Sequence, residues 1–429
     1  MNIKDWLTNC LIFHNLFSHR IKNRKYVIYN INLFVHYSVQ KITFLHINRF
    51  MKIQQIAFQA DKWQYISQTK EFNPLKVNLV LAFGERMCLE KSKPYQHLRN
   101  LFPLADIVIC STSGEIFNDL VHNGTIIATA IEFEKTIIRT TQIDIHHHLE
   151  SESAGEYVAR NLLSDDLSAI FILSDGSNVN GSALIASLKE NTNNKTFISG
   201  GLAGDETRFE KTLVGLNENP QPGKTVGIGF YSKSLQIGYG TKGGWEGYGP
   251  EREVTASEYN VLYTIDDKAA LDLYKEYLGK YAADLPETAL LFPLSMRISD
   301  NDEPVVRTIL SIDEVNKSLT FAGDIPKGAL VRFMKANLDR LIDASAKAAS
   351  KSVELFEAAP ELAILVSCVG RRVVLGQRID EEVEATRDIF GNKTIIIGFY
   401  SYGEICPKSS HSPCELHNQS MTITTFSEN

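Results

Sequence analysis

Six cysteines, Cys10, Cys88, Cys110, Cys368, Cys406 and Cys414, are scattered through 429 residues, mostly inside apolar runs. They supply no disulfide framework and fit reduced thiols in a cytosolic protein. A basic excess is missing as well: 44 Lys and Arg stand against 51 Asp and Glu, and no basic stripe interleaved with aromatics follows residue 50. A nucleic-acid binder needs such a face to displace counterions, so nucleic acid is not expected as a partner. Long hydrophobic runs are absent too. The longest uncharged stretch, YVIYNINLFVHYSVQ, is too short to span a bilayer and is broken by Asn, His and Gln, so no membrane span is expected. No small-residue cleavage site follows a clean apolar core, which argues against a secretory leader. What remains is an ordinary globular composition, 44% hydrophobic and 22% charged. The length exceeds what one ordinary core holds, so two domains are expected.

Residues 1–50 differ from the rest. They carry Lys4, Arg20, Lys22, Arg24, Lys25, Lys41 and Arg49 against the single acid Asp5; removing them leaves 37 basic and 50 acidic residues, a net charge of −13. They read as a basic extension that is not part of the fold, with Met51 as the functional start and 51–71 as a lead-in segment.

Beyond that point the chain repeats itself. VNLVLAFGE, KPYQHLRNLFP and ADIVICSTSGEI form one strand-helix-strand unit. LSAIFILSDG, GSALIASLKEN and KTFISGGLAGDE form a second, and LAILVSCVGRR, DEEVEATRDIFG and KTIIIGFYSYGEI a third. In each, about thirty residues separate the glycine closing the first strand from the one after the second, the length of a βαβ crossover. Each returning strand ends in Gly followed by an acid: Gly114-Glu115, Gly204-Asp205 and Gly403-Glu404. A further strand follows each unit, in TIIATAIEFE, TVGIGFYSKSLQIGYG and SMTITTFSE. Glycine permits a positive φ at such a corner, and the acid after it can face the mouth where strands end, where ligands of layered α/β proteins tend to sit. A corner that serves only to reverse the chain would read the same way. The expected fold class is mixed α/β (α+β): two domains of repeated strand-helix-strand units followed by hairpin strands, with boundaries at 72–284 and 285–429.

The phrases CSTSGEI, GGLAGD, GGWEGYGPER, NVLYTIDDKAALDLYKEYLG, GRRVVLGQR, GFYSYGEI and CELHNQSMTITTFSE, in that order, closely resemble the FIST family, the paired N- and C-terminal FIST domains of bacterial sensory proteins. The resemblance covers about residues 72–429. It implies a cytoplasmic signal-input protein, not an enzyme, that binds a small molecule such as an amino acid. Some relatives are haem proteins that sense nitric oxide and control a histidine kinase, which makes haem b a candidate cofactor. The chain carries no transmitter, cyclase or receiver segment. The resemblance therefore implies a separate partner, a histidine kinase or a cyclic-dinucleotide signalling enzyme, and leaves homo-oligomerisation open.

Several sharper motifs fail on context. GYGTKGG matches G-x-G-x-x-G at Gly238, Gly240 and Gly243, but no helix starts there, so a glycine-rich hairpin is the better reading. Gly223-Lys224-Thr225 resembles part of a phosphate loop, yet Glu218 stands where glycine is required and a strand follows. Cys406, His411, Cys414 and His417 match no common zinc spacing, and His146, His147 and His148 read as solvated residues beside a helix start. Ser174, Asp175 and Ser177 follow a strand as in hydrolases, the competing class, but no G-x-S-x-G elbow or partnered histidine is present. Asn178 and Asn180 and the helix start beside them suit ligand binding equally well.

The expected ligand pocket gathers Ser113, Glu115, Gly204, Asp205, Trp245, Arg252, Arg371, Tyr402 and Glu404. The arginines would pair with a carboxylate or propionate, the acids would capture an ammonium or order the corners, and Trp245 with Tyr402 would supply apolar walls. His417 is the candidate haem iron ligand; its alternative role is to hydrogen-bond the Gly403-Glu404 turn and order the site.

Overall fold

Leu79, Leu81 and Phe83 alternate with Val80 and Ala82 along one strand, yet every one of them is buried. A strand buried on both faces needs a layer on each side, and the computed structural model supplies both. It describes residues 51–192, 196–299, 302, 304–409 and 412–429; the expected extension at 1–50 lies outside them.

Three six-stranded sheets surround one core. Sheet A runs β11 (Val214–Leu216), β4 (Asp106–Thr112), β3 (Leu79–Glu85), β7 (Ile126–Glu132), β1 (Lys52–Gln59), β2 (Lys62–Gln68). Sheet B runs β6 (Leu120–His122), β5 (Glu115–Phe117), β23 (Ile395–Ser401), β22 (Leu362–Cys368), β26 (Met421–Glu428), β13 (Leu235–Lys242). Sheet C runs β25 (Cys414–His417), β24 (Gly403–Pro407), β10 (Phe197–Leu202), β9 (Leu167–Ser174), β12 (Lys224–Tyr231), β8 (Ile137–Asp144). The three expected units are the parallel pairs β3/β4, β9/β10 and β22/β23, each with its following strand antiparallel to the first.

The inner faces meet in one cluster that includes Phe83, Phe171, Val366 and Phe426. Phe83 touches Phe399 across sheets A and B at 4.6 Å, and Phe230 touches Phe426 across C and B at 5.3 Å. Helices cover the outer faces. On A lie α1 (Arg86–Ser92) and α2 (Tyr95–Leu101), on C α3 (Ser151–Leu162) and α4 (Gly181–Asn191), and on B α6 (Leu338–Ser352) and α8 (Ile379–Phe390), beside the short α7 (Val369–Leu375). Gly238 and Gly240, the hairpin expected from GYGTKGG, lie within β13, where added Cβ atoms would meet the Ser352 and Ala348 carbonyls of α6 at 1.9 and 2.1 Å. Their role is to let a helix lie directly on a strand.

At each corner the chain changes sheet. From β4 it enters β5, which pairs with β23 of sheet B; from β23 it enters β24, which pairs with β10 of sheet C; after β10 it reaches β11, which pairs with β4 of sheet A. The exchange runs from A to B to C and back to A.

A fourth sheet stands apart between β13 and α6. It runs β18 (Val305–Arg307), β17 (Leu294–Arg297), β21 (Leu330–Lys335), β14 (Glu246–Glu258), β15 (Val261–Ile265), β20 (Ser318–Phe321), β19 (Ile309–Asp313), with β16 (Lys268–Ala269) against β15 and α5 (Ala270–Leu278) packed on it. This sheet D has its own core, which includes Val254, Leu271, Leu294 and Phe333. Leu285 falls inside it, between α5 and β17, and sheets B and C each draw strands from both sides of that residue.

The expectation of matching positive-φ corners holds for Gly114, at φ 129°, but not for Gly403, which sits in β24 without a positive φ. Gly403 is small for another reason: a Cβ there would meet the Leu416 Cδ1 at 2.8 Å and the Leu202 Cδ1 at 3.1 Å. Those are the far ends of flexible side chains and can shift. Gly114→Ala should therefore cost about 1 kcal/mol or more in urea denaturation, and Gly403→Ala less. Equal losses would contradict the distinction.

Candidate functional site

Two of the three corner acids sit in the same cradle. The Glu115 carboxylate accepts from the Thr112 hydroxyl at 2.5 Å and from the Thr125 hydroxyl and N–H at 2.6 and 3.3 Å. Glu404 accepts from the Ser401 hydroxyl at 2.9 Å and from the Ser420 hydroxyl and N–H at 2.8 and 3.1 Å. In both, one hydroxyl lies three residues earlier and the other just before the next strand of the unit. Both acids are fully buried, and burial outweighs those hydrogen bonds, pushing Glu115 up to about 7 and Glu404 up to about 8. At the third corner Leu202 and Gly223 hold the hydroxyl positions, so Asp205 is satisfied by counter-charge instead. Arg86 donates to it at 2.8 Å and Arg208 at 2.9 Å.

The corners meet. Ser113 donates its N–H to the Tyr400 carbonyl at 2.8 Å, and a Cβ on Gly204 would lie 2.4 Å from its hydroxyl. The Ser113 and Tyr402 hydroxyls both donate to the Glu206 carbonyl, at 3.1 and 3.3 Å. Ser113, Gly204, Asp205 and Tyr402 thus form one junction, while Glu115 and Glu404 are enclosed within it by their hydroxyl cradles.

The other expected site residues lie elsewhere. Arg371 is fully buried, paired with Glu382 at 2.6 Å and donating to the Gly243 and Leu341 carbonyls. Glu382 also accepts from Tyr400 and Ser367, so the arginine completes an internal network and does not face a ligand. Trp245 packs on Leu341 and Leu375 and donates to the Gln419 carbonyl at 2.8 Å. Arg252 is in sheet D, held by Asp266 at 2.6 Å and by Tyr277.

His417 does not fit haem. Its Nε2 is engaged by the Cys406 carbonyl at 2.7 Å. It borders a crevice of about 150 Å³ shared with Lys242, Lys408 and Asn418, whereas haem needs a large apolar pocket. The register sets His417 opposite Glu404 in the β24/β25 hairpin, but its ring bonds the Cys406 carbonyl, not the Gly403-Glu404 turn. Among the described residues no His, Cys, Asp and Glu group could hold a metal; His411 lies outside them. Ser174 and Asp175 are also internal: Ser174 bonds Thr225 at 2.7 Å, and Asp175 holds the Ser177, Asn178 and Gly223 N–H groups at 2.7 to 2.8 Å.

A cleft of about 780 Å³ lies between the three-sheet core and sheet D. The core side presents the Gly176–Gly181 loop, Leu202, Val369 and Tyr402; the sheet D side presents Glu258–Val261, Thr308, Leu310 and Phe321–Asp324. Phe209 stacks on Tyr402, with ring centroids 4.6 Å apart and planes 20° apart, and donates its N–H to the tyrosine oxygen. Asn180 caps α4 through the Ala183 N–H and donates from Nδ2 to Asp324 Oδ1 at 3.3 Å, bridging the two sides. Deeper, Arg307 donates to the Leu416 and Asp324 carbonyls and fastens β18 to the core. Thr308 is 4% exposed, and its hydroxyl is buried with no hydrogen-bond partner among the described residues. An unpaired buried hydroxyl is costly unless something completes it. Of the expected site residues only Tyr402 lines this cleft; Asn180 was signalled by its helix start, but Thr308, Phe209 and Asp324 carried no local motif.

The buried carboxyls give a pH test. Unfolded, Glu404 releases its proton in the usual carboxylate range; folded, it holds the proton until about pH 8. Between those values the folded state binds a proton the unfolded state has lost, so this contribution is present at acid pH and disappears as pH rises through about 8. Glu404→Gln should flatten the fall in stability between about pH 5 and pH 8 by about 1 kcal/mol or more. A variant that loses stability as steeply as the wild type would contradict the assignment.

No helix among the described residues is long and apolar enough to cross a membrane. Comparison with curated proteins gives no match. Among solved structures, a cyanuric acid hydrolase from A. caulinodans has a TM-score of 0.36 at 10% identity, covering 89% of this chain and 99% of that one. A second cyanuric acid hydrolase structure has a TM-score of 0.34 at 8% identity, covering 89% and 100%. Likenesses this low carry no argument about chemistry. The FIST N domain matches residues 78–268 and the FIST C domain residues 270–407. The chain belongs to the FIST family of sensory, signal-transduction domains.

Proposed function

We propose that the protein is a signal-input module that binds a small molecule in the cleft between the core and sheet D and reports its occupancy to a separate signalling enzyme, such as a histidine kinase or a cyclic-dinucleotide enzyme. The observation that carries this reading is the cleft itself: about 780 Å³, walled by the stacked Tyr402 and Phe209 rings, with the Thr308 hydroxyl buried and unpaired. Ligand pockets combine apolar walls with a few convergent polar groups, and this one has both. Sheet D has a core of its own. The polar ties across the cleft include the Asn180–Asp324 bond and the Arg307 carbonyl contacts. A ligand touching both sides favours the arrangement in which they are closest, and a partner reading the position of sheet D senses that shift. The expected amino-acid pocket around Arg252 and Arg371 is not part of this reading, because both arginines are engaged elsewhere.

Thermal unfolding with a metabolite library tests the reading. A ligand of the cleft should raise Tm in proportion to log concentration. Phe209→Ala should weaken its binding about tenfold or more while leaving Tm without ligand within a few degrees. A ligand whose affinity is unchanged in Phe209→Ala and in Thr308→Val would move the site out of the cleft.

A further inference from the structure

We propose that the cleft selects an organic cation, an amine-bearing molecule with an apolar body, over anions and zwitterions; this rests on the ligand-binding reading above. The charged side chains lining it are Glu152 on α3, Glu258 at the end of β14 and Asp324 after β20, with His148 at the rim; among the described residues no lysine or arginine lines it. Arg307, close behind Asp324, is committed to the Asp324, Val306 and Leu416 carbonyls. An anion would enter a space lined by three carboxylates, with the one nearby guanidinium, Arg307, set behind Asp324, whereas an ammonium meets an excess of negative charge. Aromatic faces strengthen that preference. The Tyr402–Phe209 stack, Phe321 and Tyr259 border the same space, and π-faces attract cations.

Two further observations bear on where the ammonium sits. The Thr308 hydroxyl, buried and without a partner, can accept one of its N–H bonds. Asp324 is half-buried and oriented by Asn180 through Oδ1. Two opposing fields are present: the Arg307 guanidinium behind Asp324 and the N-terminus of α4, which carries about half a positive charge. The helix cap is already supplied by the Asn180 side chain, and three carboxylates outweigh the two fields.

Calorimetric titration of the full chain with matched probes decides the point. Phenethylamine and tryptamine carry the cation, 3-phenylpropionate and indole-3-propionate the same bodies with a carboxylate, and phenylalanine both charges. The amines should bind with Kd below about 1 mM and the carboxylates and the zwitterion at least about tenfold more weakly. Asp324→Asn should weaken amine binding roughly tenfold and reduce its salt dependence. If that variant fails to fold, replacing the exposed Glu152 of α3, Glu152→Gln, should still weaken it roughly two- to threefold. Carboxylates that bind as tightly as the amines, and are lost in Phe209→Ala, overturn the cation assignment while leaving the cleft as the binding site. Amine binding that Phe209→Ala does not weaken overturns both. Binding by none of the probes overturns the cation assignment.

Discussion

The structure depends on a cyclic exchange of strands. Each unit sends the segment after its second strand across a corner to extend the next sheet, so no sheet is complete without a neighbour's chain. Glu115 pairs with Phe399, Gly403 with Leu202, and Val214 with Cys110. Because the donated strands reach the interior, their ends bury polar side chains. The hydroxyl cradles of Glu115 and Glu404 and the arginine pair on Asp205 are two solutions to that one problem. Desolvation of a carboxylate costs more than one hydrogen bond returns. Two hydroxyls and an N–H reduce the cost at the first two corners, and a held proton removes the remainder; guanidinium counter-charge does the same at the third.

The core wall of the cleft is tied to the corner junction where it faces sheet D. The Tyr402 ring is held by the Glu206 and Phe209 backbones, so one wall of the cleft is fixed by the corner junction. The opposite wall belongs to a sheet with an independent hydrophobic cluster, crossed by the Asn180–Asp324 bond and the Arg307 carbonyl contacts. A wall tied to the corner junction thus faces a sheet with a hydrophobic core of its own.

Much of this was legible in the sequence, for a physical reason. Strands such as LVLAFGE and LAILVSC are buried on both faces and read as continuous apolar runs, and a βαβ unit closes locally. The repeated Gly-acid phrase therefore marked three real corners. The exchange of strands was not legible, because pairing Glu115 with Phe399 leaves no trace in either local segment. Arg371 was misread for a related reason. An arginine after a strand suits a ligand carboxylate, but its partner, Glu382, lies a helix away and the contact forms only when α7 and α8 pack. Gly403 shared the phrase of Gly114 without sharing its backbone, since steric room, not φ, keeps it small. The cleft was least visible: Thr308, Asp324 and Phe209 come from unrelated segments, and only the inserted position of sheet D brings them to Tyr402.

Hydrogen exchange followed by mass spectrometry, with and without a saturating probe amine, tests the central claim most directly. If ligand sits between core and sheet D, amides in 176–184, 258–261, 308–310 and 321–324 should gain protection together, because both walls close on one molecule. Bound ligand that leaves these segments unchanged, or protects only the 416–420 turn around His417, would contradict it.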